Sequence, residues 1–223
     1  VHYQTKRGPV KAVDGVTMDL RLGETVGVVG ETGCGKSTLG KAILGLLPPR
    51  TDVIGSLRLR GRDLLAIPPD EYRKLRGEEL ALIFQDPMTR LDPLMTIRKH
   101  FLETLRAHDR GISREEVTRR AAEVLLSMGI PESRLDYYPH EFSGGMRQRI
   151  MIAMAIVLRP KLLVADEPTT SLDVIVESQI LEILRDLRRA YSMTVLLITH
   201  NLAIVAEVCD RTAVMYAGKI VEL

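Results

Sequence analysis

Residues 30–37 read Gly-Glu-Thr-Gly-Cys-Gly-Lys-Ser, which fits the pattern G-x-x-x-x-G-K-[ST]. An apolar run ends at Val29, and a helix-like segment follows the loop, so we expect a strand, a Gly-rich loop and a helix. In such a loop, backbone N–H groups and the positive end of the helix face an anion. The pattern predicts that Lys36 reaches the β- and γ-phosphates of a nucleotide and that the Ser37 hydroxyl ligates Mg²⁺.

The phosphate loop by itself leaves the reaction open, because small-molecule kinases, GTPases and many ATPases share it. The sequence contains no Asn-Lys-x-Asp element, which makes a GTPase a weaker alternative. A kinase would explain the loop, but it would not explain the motifs that follow along the chain.

Two adjacent carboxylates, Asp166 and Glu167, follow the apolar run 161–165, which has the length of a strand. Ligands of open α/β sheets collect at such strand ends. We expect Asp166 to hold the Mg²⁺ shell and Glu167 to polarise a water molecule as a general base.

Composition sets the broad class of the protein. The 223 residues are 45% hydrophobic, which allows a sizeable core, and 31 Lys and Arg nearly balance 29 Asp and Glu. This balance argues against a dedicated nucleic-acid surface. Two cysteines cannot form a disulfide framework, and the longest apolar run, Ile150–Leu158, is far shorter than the roughly 20 residues of a membrane span. We therefore expect any membrane role to depend on another chain.

The pattern of predicted elements indicates an α/β fold. Strands are predicted over 10–21, 24–29, 56–60, 79–84, 161–165, 194–199 and 211–216, and helices over 37–47, 96–127 with a break near Gly111, 145–158 and around 180–187. A capping-box pattern, Ser113 with Glu116, should start the helix after the break. Alternating strands and helices predict a mostly parallel sheet covered on both faces. The helix-rich middle predicts an inserted helical subdomain.

A second anion-binding pattern lies at the head of the helix predicted over 145–158. Residues 142–149 read Phe-Ser-Gly-Gly-Met-Arg-Gln-Arg, which combines a Ser hydroxyl, flexible glycines and a helix N-terminus. One nucleotide needs only one phosphate loop, so the second element suggests a nucleotide held by another subunit. In this order along the chain, the segment resembles the signature motif of the ATP-binding subunits of ABC transporters, and the resemblance covers nearly the whole chain.

The resemblance assigns roles to further residues. Gln85 resembles the Q-loop glutamine that contacts Mg²⁺ and the attacking water, and His200 resembles the switch histidine at the γ-phosphate. Tyr3 resembles the aromatic residue that stacks on adenine, and residues 171–173 resemble the D-loop at the dimer interface. The implied nucleotide-binding residues are Tyr3, Gly30, Gly33, Gly35, Lys36, Ser37, Thr38, Ser143, Gly144, Gly145 and Asp173. The implied catalytic residues are Glu167, Gln85 and His200, and the implied metal ligands are Ser37, Gln85 and Asp166.

The resemblance also implies an architecture. The expected fold is a RecA-like P-loop ATPase core with an N-terminal antiparallel β subdomain and an inserted α-helical subdomain, in one ABC ATPase domain over 1–223. Residues 1–85 and 160–223 would form the core and β subdomain, and residues 86–159 the helical subdomain. The C-terminal extension usual in this branch is expected to be absent.

Cofactors and partners follow from the same resemblance. It implies ATP and Mg²⁺, a head-to-tail dimer with a second ABC ATPase subunit, identical or, as we expect, different, and integral membrane permease subunits. It further implies an external substrate-binding protein acting indirectly, a peripheral location at the cytoplasmic face of the inner membrane, and no nucleic acid.

The sequence between and around the motifs indicates one branch of the family. Residues 83–89 and 91–93, together with 138–146, resemble the dipeptide and oligopeptide importers. The same branch includes nickel importers, so the cargo stays open. A soluble ABC ATPase acting on nucleic acid or ribosomes is a further alternative. It is disfavoured by the short stretch between Gln85 and Ser143 and by the single ATPase domain.

Overall fold

A computed structural model describes residues 1–84, 90–169 and 172–223. Its strands are β1 (His2–Thr5), β2 (Gly8–Lys11), β3 (Thr25–Val29), β4 (Thr51–Asp52), β5 (Arg58–Leu59), β6 (Arg62–Asp63), β7 (Leu80–Ile83), β8 (Leu162–Asp166), β9 (Thr194–Thr199), β10 (Arg211–Tyr216) and β11 (Lys219–Glu222). Its α-helices are α1 (Lys36–Ile43), α2 (Pro69–Glu78), α3 (Ile97–Arg106), α4 (Arg114–Ser127), α5 (Gly144–Ile156), α6 (Val174–Tyr191) and α7 (Leu202–Val208).

A six-stranded sheet in the order β11-β10-β3-β9-β8-β7 forms the centre of the fold. All neighbours pair in parallel except β10 and β11, which are antiparallel. Every residue of β3, β8 and β9 is buried, as expected for strands covered on both faces. Gly27 allows one of these close contacts, because a Cβ there would lie 2.7 Å from Val205 Cγ1 on α7. The expected parallel α/β core is confirmed.

The antiparallel sheet expected near the N-terminus is also present. Strands β2, β1 and β4 form a three-stranded antiparallel sheet, and β5 pairs with β6 in a separate short hairpin. The strand predicted over 56–60 was too long, because the chain turns at Arg60 and Gly61, which have φ angles of 50° and 82°. It returns as β6 instead of continuing.

The strand predicted over 10–21 was wrong beyond Lys11, where β2 ends. Residues 12–21, all of which the structure describes, have no strand assignment. The apolar alternation that predicted the strand is real, because Val16, Met18 and Leu20 pack against the core. Alternation shows which side chains turn inward, whereas a strand also requires a neighbouring backbone with which to pair.

Between β7 and β8 the described chain contains α3, α4 and α5. Thr96, Ser113 and Ser143 cap their N-termini with side-chain oxygens. The predicted break near Gly111 is confirmed, and the helix predicted over 145–158 ends at Ile156. The helix predicted over 37–47 ends earlier, at Ile43, and α2 was not predicted. Among the described residues, none of the helices is both long and apolar enough to cross a membrane.

Candidate functional site

The Gly-rich loop connects the end of β3 to the start of α1, as predicted. Two of its glycines lie against other backbone segments. A Cβ at Gly30 would lie 2.1 Å from the Met215 carbonyl oxygen, and a Cβ at Gly35 would lie 2.0 Å from that of Ala12. Gly35 also has a φ of 110°, a region that L side chains rarely adopt. The path of the loop therefore requires glycine at these two positions. Gly33 is exposed and has open space around it, but its φ of 84° also favours glycine.

Lys36 is the first residue of α1 and is only 4% exposed. Its Nζ atom donates hydrogen bonds to the carbonyl oxygens of Gly30 at 2.7 Å and Glu31 at 2.9 Å. A buried ammonium must be satisfied by strong acceptors. These two carbonyls hold the cation against the first two residues of the loop.

Ser37 and Asp166 join the loop to the end of β8. The Ser37 hydroxyl donates to Asp166 Oδ1 at 2.9 Å. Burial raises the pKa of Asp166 above its ordinary value, and the hydrogen bond from Ser37 opposes this effect. Mg²⁺ prefers oxygen ligands in octahedral geometry, and at bond lengths of about 2.0–2.1 Å its adjacent ligands lie about 2.9 Å apart. The donor types and their separation therefore fit a pair of adjacent Mg²⁺ ligands.

Glu167 and His200 lie at the ends of two neighbouring strands, β8 and β9. His200 Nδ1 lies 3.3 Å from Glu167 Oε1. Glu167 has a φ of 47°, which is uncommon for a residue with a side chain, and its backbone N–H donates to the Ile198 carbonyl at 2.8 Å. Such conformations persist only where the surroundings impose them, and they cluster at functional sites.

Tyr3 lies in β1, and its hydroxyl donates to Thr38 Oγ1 at 3.1 Å. Thr38 belongs to the first turn of α1, directly after the phosphate loop. The N-terminal sheet is therefore in contact with the same helix that carries Lys36 and Ser37.

The signature segment lies at the head of α5. Ser143 and Gly144 are exposed, and Ser143 Oγ accepts the Met146 N–H at 3.3 Å. A Cβ at Gly145 would lie 2.8 Å from Val176 Cγ1 on α6. Asp173 caps α6 by accepting the Val176 N–H at 2.9 Å.

The structure brings together some predicted residues and leaves others apart. Lys36 and Ser37 are adjacent on α1, and Ser37 leads through Asp166 and Glu167 to His200 in one run of contacts. Within the part of the chain that the structure describes, no hydrogen bond links the segment 143–145 to the phosphate loop. Predictions for Gln85, for residues 86–89 and for Ser171 lie outside the described residues.

Sequence reasoning missed one contact at this site. Gln148, in the second turn of α5, donates from Nε2 to the Pro168 carbonyl oxygen, directly after Glu167. Gln148 precedes the buried Ile152 by one helical turn. This spacing indicates a polar side chain on a buried face, but the sequence does not show what that side chain contacts.

Comparison with known proteins agrees with this geometry. The ABC transporter family matches residues 13–170, more than half of the chain. The oligopeptide transport ATP-binding protein OppD of Escherichia coli is 46% identical over 224 residues, which cover the whole chain and 66% of that protein. The dipeptide transport ATP-binding protein DppD of the same organism is 48% identical over 225 residues, again the whole chain and 68% of that protein.

A solved structure gives the same result at the level of the fold. It is a dimeric ATP-binding cassette in a post-hydrolysis state bound to ADP and Pi, with a TM-score of 0.86 and 28% identity. The match covers 99% of this chain and 93% of that one.

The chain spans about two thirds of the length of the curated relatives it matches, from 63% to 69%. By the extent of the family match and its identity to these relatives, the chain belongs to the ABC transporter family.

Proposed function

We propose that this chain binds Mg²⁺ and ATP and hydrolyses ATP to ADP and phosphate. The observation that carries the proposal is the 2.9 Å hydrogen bond between Ser37 and Asp166. It joins the phosphate loop to the strand end that bears Glu167, so a cation site, an ammonium and a candidate base lie along one edge of the sheet.

For binding, we assign the triphosphate to the loop and to the start of α1. Lys36 would exchange its two carbonyl acceptors for β- and γ-phosphate oxygens, which are charged and stronger acceptors. Gly30, Gly33 and Gly35 would let backbone N–H groups face the phosphates, and Tyr3 would stack on the base. Thr38, the hydrogen-bond partner of Tyr3, would lie beside the phosphates.

Ser37 and Asp166 would hold the Mg²⁺ ion, together with Gln85, which lies outside the described residues. The ion supplies positive charge that neutralises the phosphate oxygens as the terminal phosphoryl group is displaced. Glu167 would accept the proton of the attacking water, and His200 would orient the Glu167 carboxylate through the 3.3 Å contact. The left-handed backbone of Glu167 supports a functional reading of this turn.

The signature segment would complete the site of a second ATPase subunit. Ser143 and Gly144 are exposed and make no hydrogen bond to this chain's own loop among the described residues, as expected if they act on another nucleotide. The segment 143–145 and Asp173 would therefore lie at the interface of a head-to-tail dimer. We assign residues 86–159 to a helical subdomain that carries this segment, with 1–85 and 160–223 as the core and β subdomain.

In the cell, we propose that the chain is the ATPase motor of a peptide importer. The names of the relatives, oligopeptide and dipeptide transport ATP-binding proteins, support this cargo class. The motor would act with a related second ATPase chain and membrane permease subunits at the cytoplasmic face of the inner membrane, and an external binding protein would deliver the peptide. This role includes no nucleic acid.

Two experiments test the proposal, one for ATP hydrolysis and one for peptide import. Phosphate release by the full-length protein with its second ATPase subunit should require both ATP and Mg²⁺ and should stop when EDTA removes the metal. Uptake of a labelled peptide should be lost on deletion of the gene and restored by the wild-type gene, but not by a Lys36→Ala gene. A matched control, Lys99→Ala on the exposed side of α3, should restore uptake fully. Metal-independent phosphate release would refute the ATPase assignment, and uptake in the deletion strain would refute the peptide cargo.

A further inference from the structure

Gln148 is a polar side chain in an apolar position. It lies in the second turn of α5 and is 1% exposed. Its Nε2 donates to the Pro168 carbonyl oxygen, while its Oε1 is buried without a hydrogen-bond partner among the described residues. A buried amide oxygen left unpaired lowers the stability of a fold, and an apolar side chain of similar size would avoid that loss. The favourable contribution of the amide is therefore its hydrogen bond to the buried Pro168 carbonyl, which an apolar side chain would leave without a donor.

The acceptor of this hydrogen bond belongs to the turn that carries Glu167. Pro168 has no N–H, so its carbonyl is its only backbone group that can form a hydrogen bond. On the other side of the turn, the Glu167 N–H donates to the Ile198 carbonyl of β9 at 2.8 Å. Glu167 itself has a φ of 47°, so its backbone must be held by its surroundings. This turn is held by hydrogen bonds to two elements, one to the Ile198 carbonyl on β9 and one from Gln148 on α5.

Helix α5 also contacts the chain beyond this turn. At its first turn, the Cβ position of Gly145 lies 2.8 Å from Val176 Cγ1, on the first turn of α6. Two residues that follow Glu167, Pro168 and Val176, are thus both in contact with α5. Because packed elements move as units, a shift of α5 would be transmitted to the turn of Glu167.

From this geometry we propose that Gln148 is a positioning residue that couples α5 to Glu167. The proposal rests on the proposed function, in which Ser143 at the head of α5 binds the nucleotide of the partner subunit. A nucleotide that fixes α5 from outside would then fix the orientation of this chain's own Glu167. The two nucleotide sites of the dimer would communicate through one hydrogen bond inside a single chain.

The first test replaces the amide by an apolar side chain of similar length. In the full-length protein with its second ATPase subunit, Gln148→Met should lower kcat about 10- to 100-fold, because a misplaced base loses its alignment with the water. The Kd for ATP should not rise. The thermal unfolding midpoint is recorded as well, because the buried Pro168 carbonyl loses its donor. Gln148→Leu provides a second variant should the Met side chain disturb the packing. The matched control is Gln179→Met, which removes an amide on α6 that accepts from Arg149 of α5 at 2.7 Å, away from the turn. Its kcat should equal that of wild type.

The second test asks whether Gln148 acts through Glu167. Single-turnover hydrolysis of radiolabelled ATP is measured for Glu167→Gln and for the double variant Glu167→Gln with Gln148→Met. We expect the second substitution to cause no further loss, because the group it positions is already absent. An equal loss in both backgrounds, or wild-type kcat in Gln148→Met and Gln148→Leu, would overturn the proposal. A wild-type assembly without ATPase activity would instead refute the proposed function itself.

Discussion

His200 Nδ1 lies 3.3 Å from Oε1 of Glu167, so a contact between two side chains joins the ends of strands β8 and β9. The strands are in parallel register, with Asp166 opposite Ile198, and each residue of the contact directly follows its strand. The distance between the two residues is therefore set by the pairing of the two strands and not by a long loop. His200 is 59% exposed at its side chain, whereas that of Glu167 is 13% exposed. The proposed base is therefore largely buried, whereas the side chain that contacts it is mostly exposed to solvent.

His200→Ala should lower kcat for ATP hydrolysis about 10- to 100-fold, because Glu167 loses the side chain that orients it. The Kd for ATP should change less than kcat, since Lys36 and Ser37 remain in place. Steady-state phosphate release and calorimetric titration with ATP measure the two quantities. The control is His140→Ala, an exposed histidine outside the proposed site. A variant in which ATP binding falls as strongly as kcat would show that His200 is a binding residue.

Lys36→Ala should weaken ATP binding about 10- to 100-fold. It removes the one ammonium of the loop, and a hydrogen bond to a charged group contributes about 1.5–3 kcal/mol. The substitution also leaves the Gly30 and Glu31 carbonyls without this donor, so the thermal unfolding midpoint of the variant must be recorded. Lys99→Ala is the matched control. Equal ATP affinity of wild type and Lys36→Ala in calorimetry would contradict the assignment.

Tyr3→Ala should raise the Kd for ATP about tenfold, because stacking on a base contributes about 1–3 kcal/mol. The kcat at saturating ATP should hardly change, since stacking stabilises the ground state and the transition state equally. Tyr3→Phe separates the ring from its hydroxyl. It loses the hydrogen bond to Thr38 but keeps the ring, so it should bind ATP like wild type. If Tyr3→Phe is as weak as Tyr3→Ala, the hydroxyl and not the ring is the functional group.

Asp210 should make the stability of the fold depend on pH. The Thr25 backbone N–H, 2.7 Å from Asp210 Oδ2, holds the pKa of this carboxyl below its ordinary value, and Arg188 adds to the effect. A carboxylate with a lowered folded pKa stabilises the fold above its unfolded pKa, near 3.8, and loses that contribution as the pH falls through the folded pKa. Asp210→Asn should therefore be less stable than wild type at pH 7, and the difference should narrow below pH 3.8.

Urea unfolding of both proteins between pH 7 and pH 3 measures this difference. The control is Asp70→Asn, whose carboxylate is 89% exposed and should contribute little. A difference between Asp210→Asn and wild type that stays constant over the whole range would show that charge is not its cause.

The parts of the site that depend on local sequence were predictable. The phosphate loop, Asp166 and His200 each follow a short apolar run that forms a strand, and parallel strands bring their carboxyl ends to one edge.

The predicted Ser113 cap of α4 is confirmed, with Oγ accepting the Glu116 N–H at 3.2 Å. The full capping box is not formed in the expected way, because the Glu116 carboxylate pairs with Arg119 and Arg120. Two guanidinium groups on the next turn are stronger partners than one backbone N–H.

The parts that depend on distant pairing were not predictable. Residues 12–21 have the apolar alternation of a strand. They do not form a strand, because no described backbone segment pairs with them in a ladder, and the sequence alone does not show this. The hydrogen bond from Gln148 to Pro168 joins residues twenty positions apart in separate elements. Its geometry is set by how α5 packs on the sheet, and no local pattern encodes that packing.

Glu167→Gln is the most decisive substitution for the proposed mechanism. The amide keeps the size and shape of the side chain but cannot accept a proton, so kcat should fall about 10²- to 10⁴-fold. ATP binding should survive, because Lys36, Ser37 and Asp166 are unchanged. If ATP holds two subunits together until it is cleaved, the variant should also accumulate as an ATP-bound dimer.

Asp166→Asn is the comparison that makes the Glu167→Gln result specific. It changes the neighbouring carboxyl, a proposed metal ligand, and should weaken Mg²⁺-dependent ATP binding itself and not only hydrolysis. Phosphate release at saturating Mg²⁺ and ATP, together with sedimentation with and without ATP, separates the two variants. Both are measured on the full-length protein with the proposed second ATPase subunit. An acidic surface turn without a catalytic role predicts near-normal turnover for Glu167→Gln. Wild-type turnover in that variant would therefore refute the general-base assignment, even though the chain belongs to an ATPase-containing family.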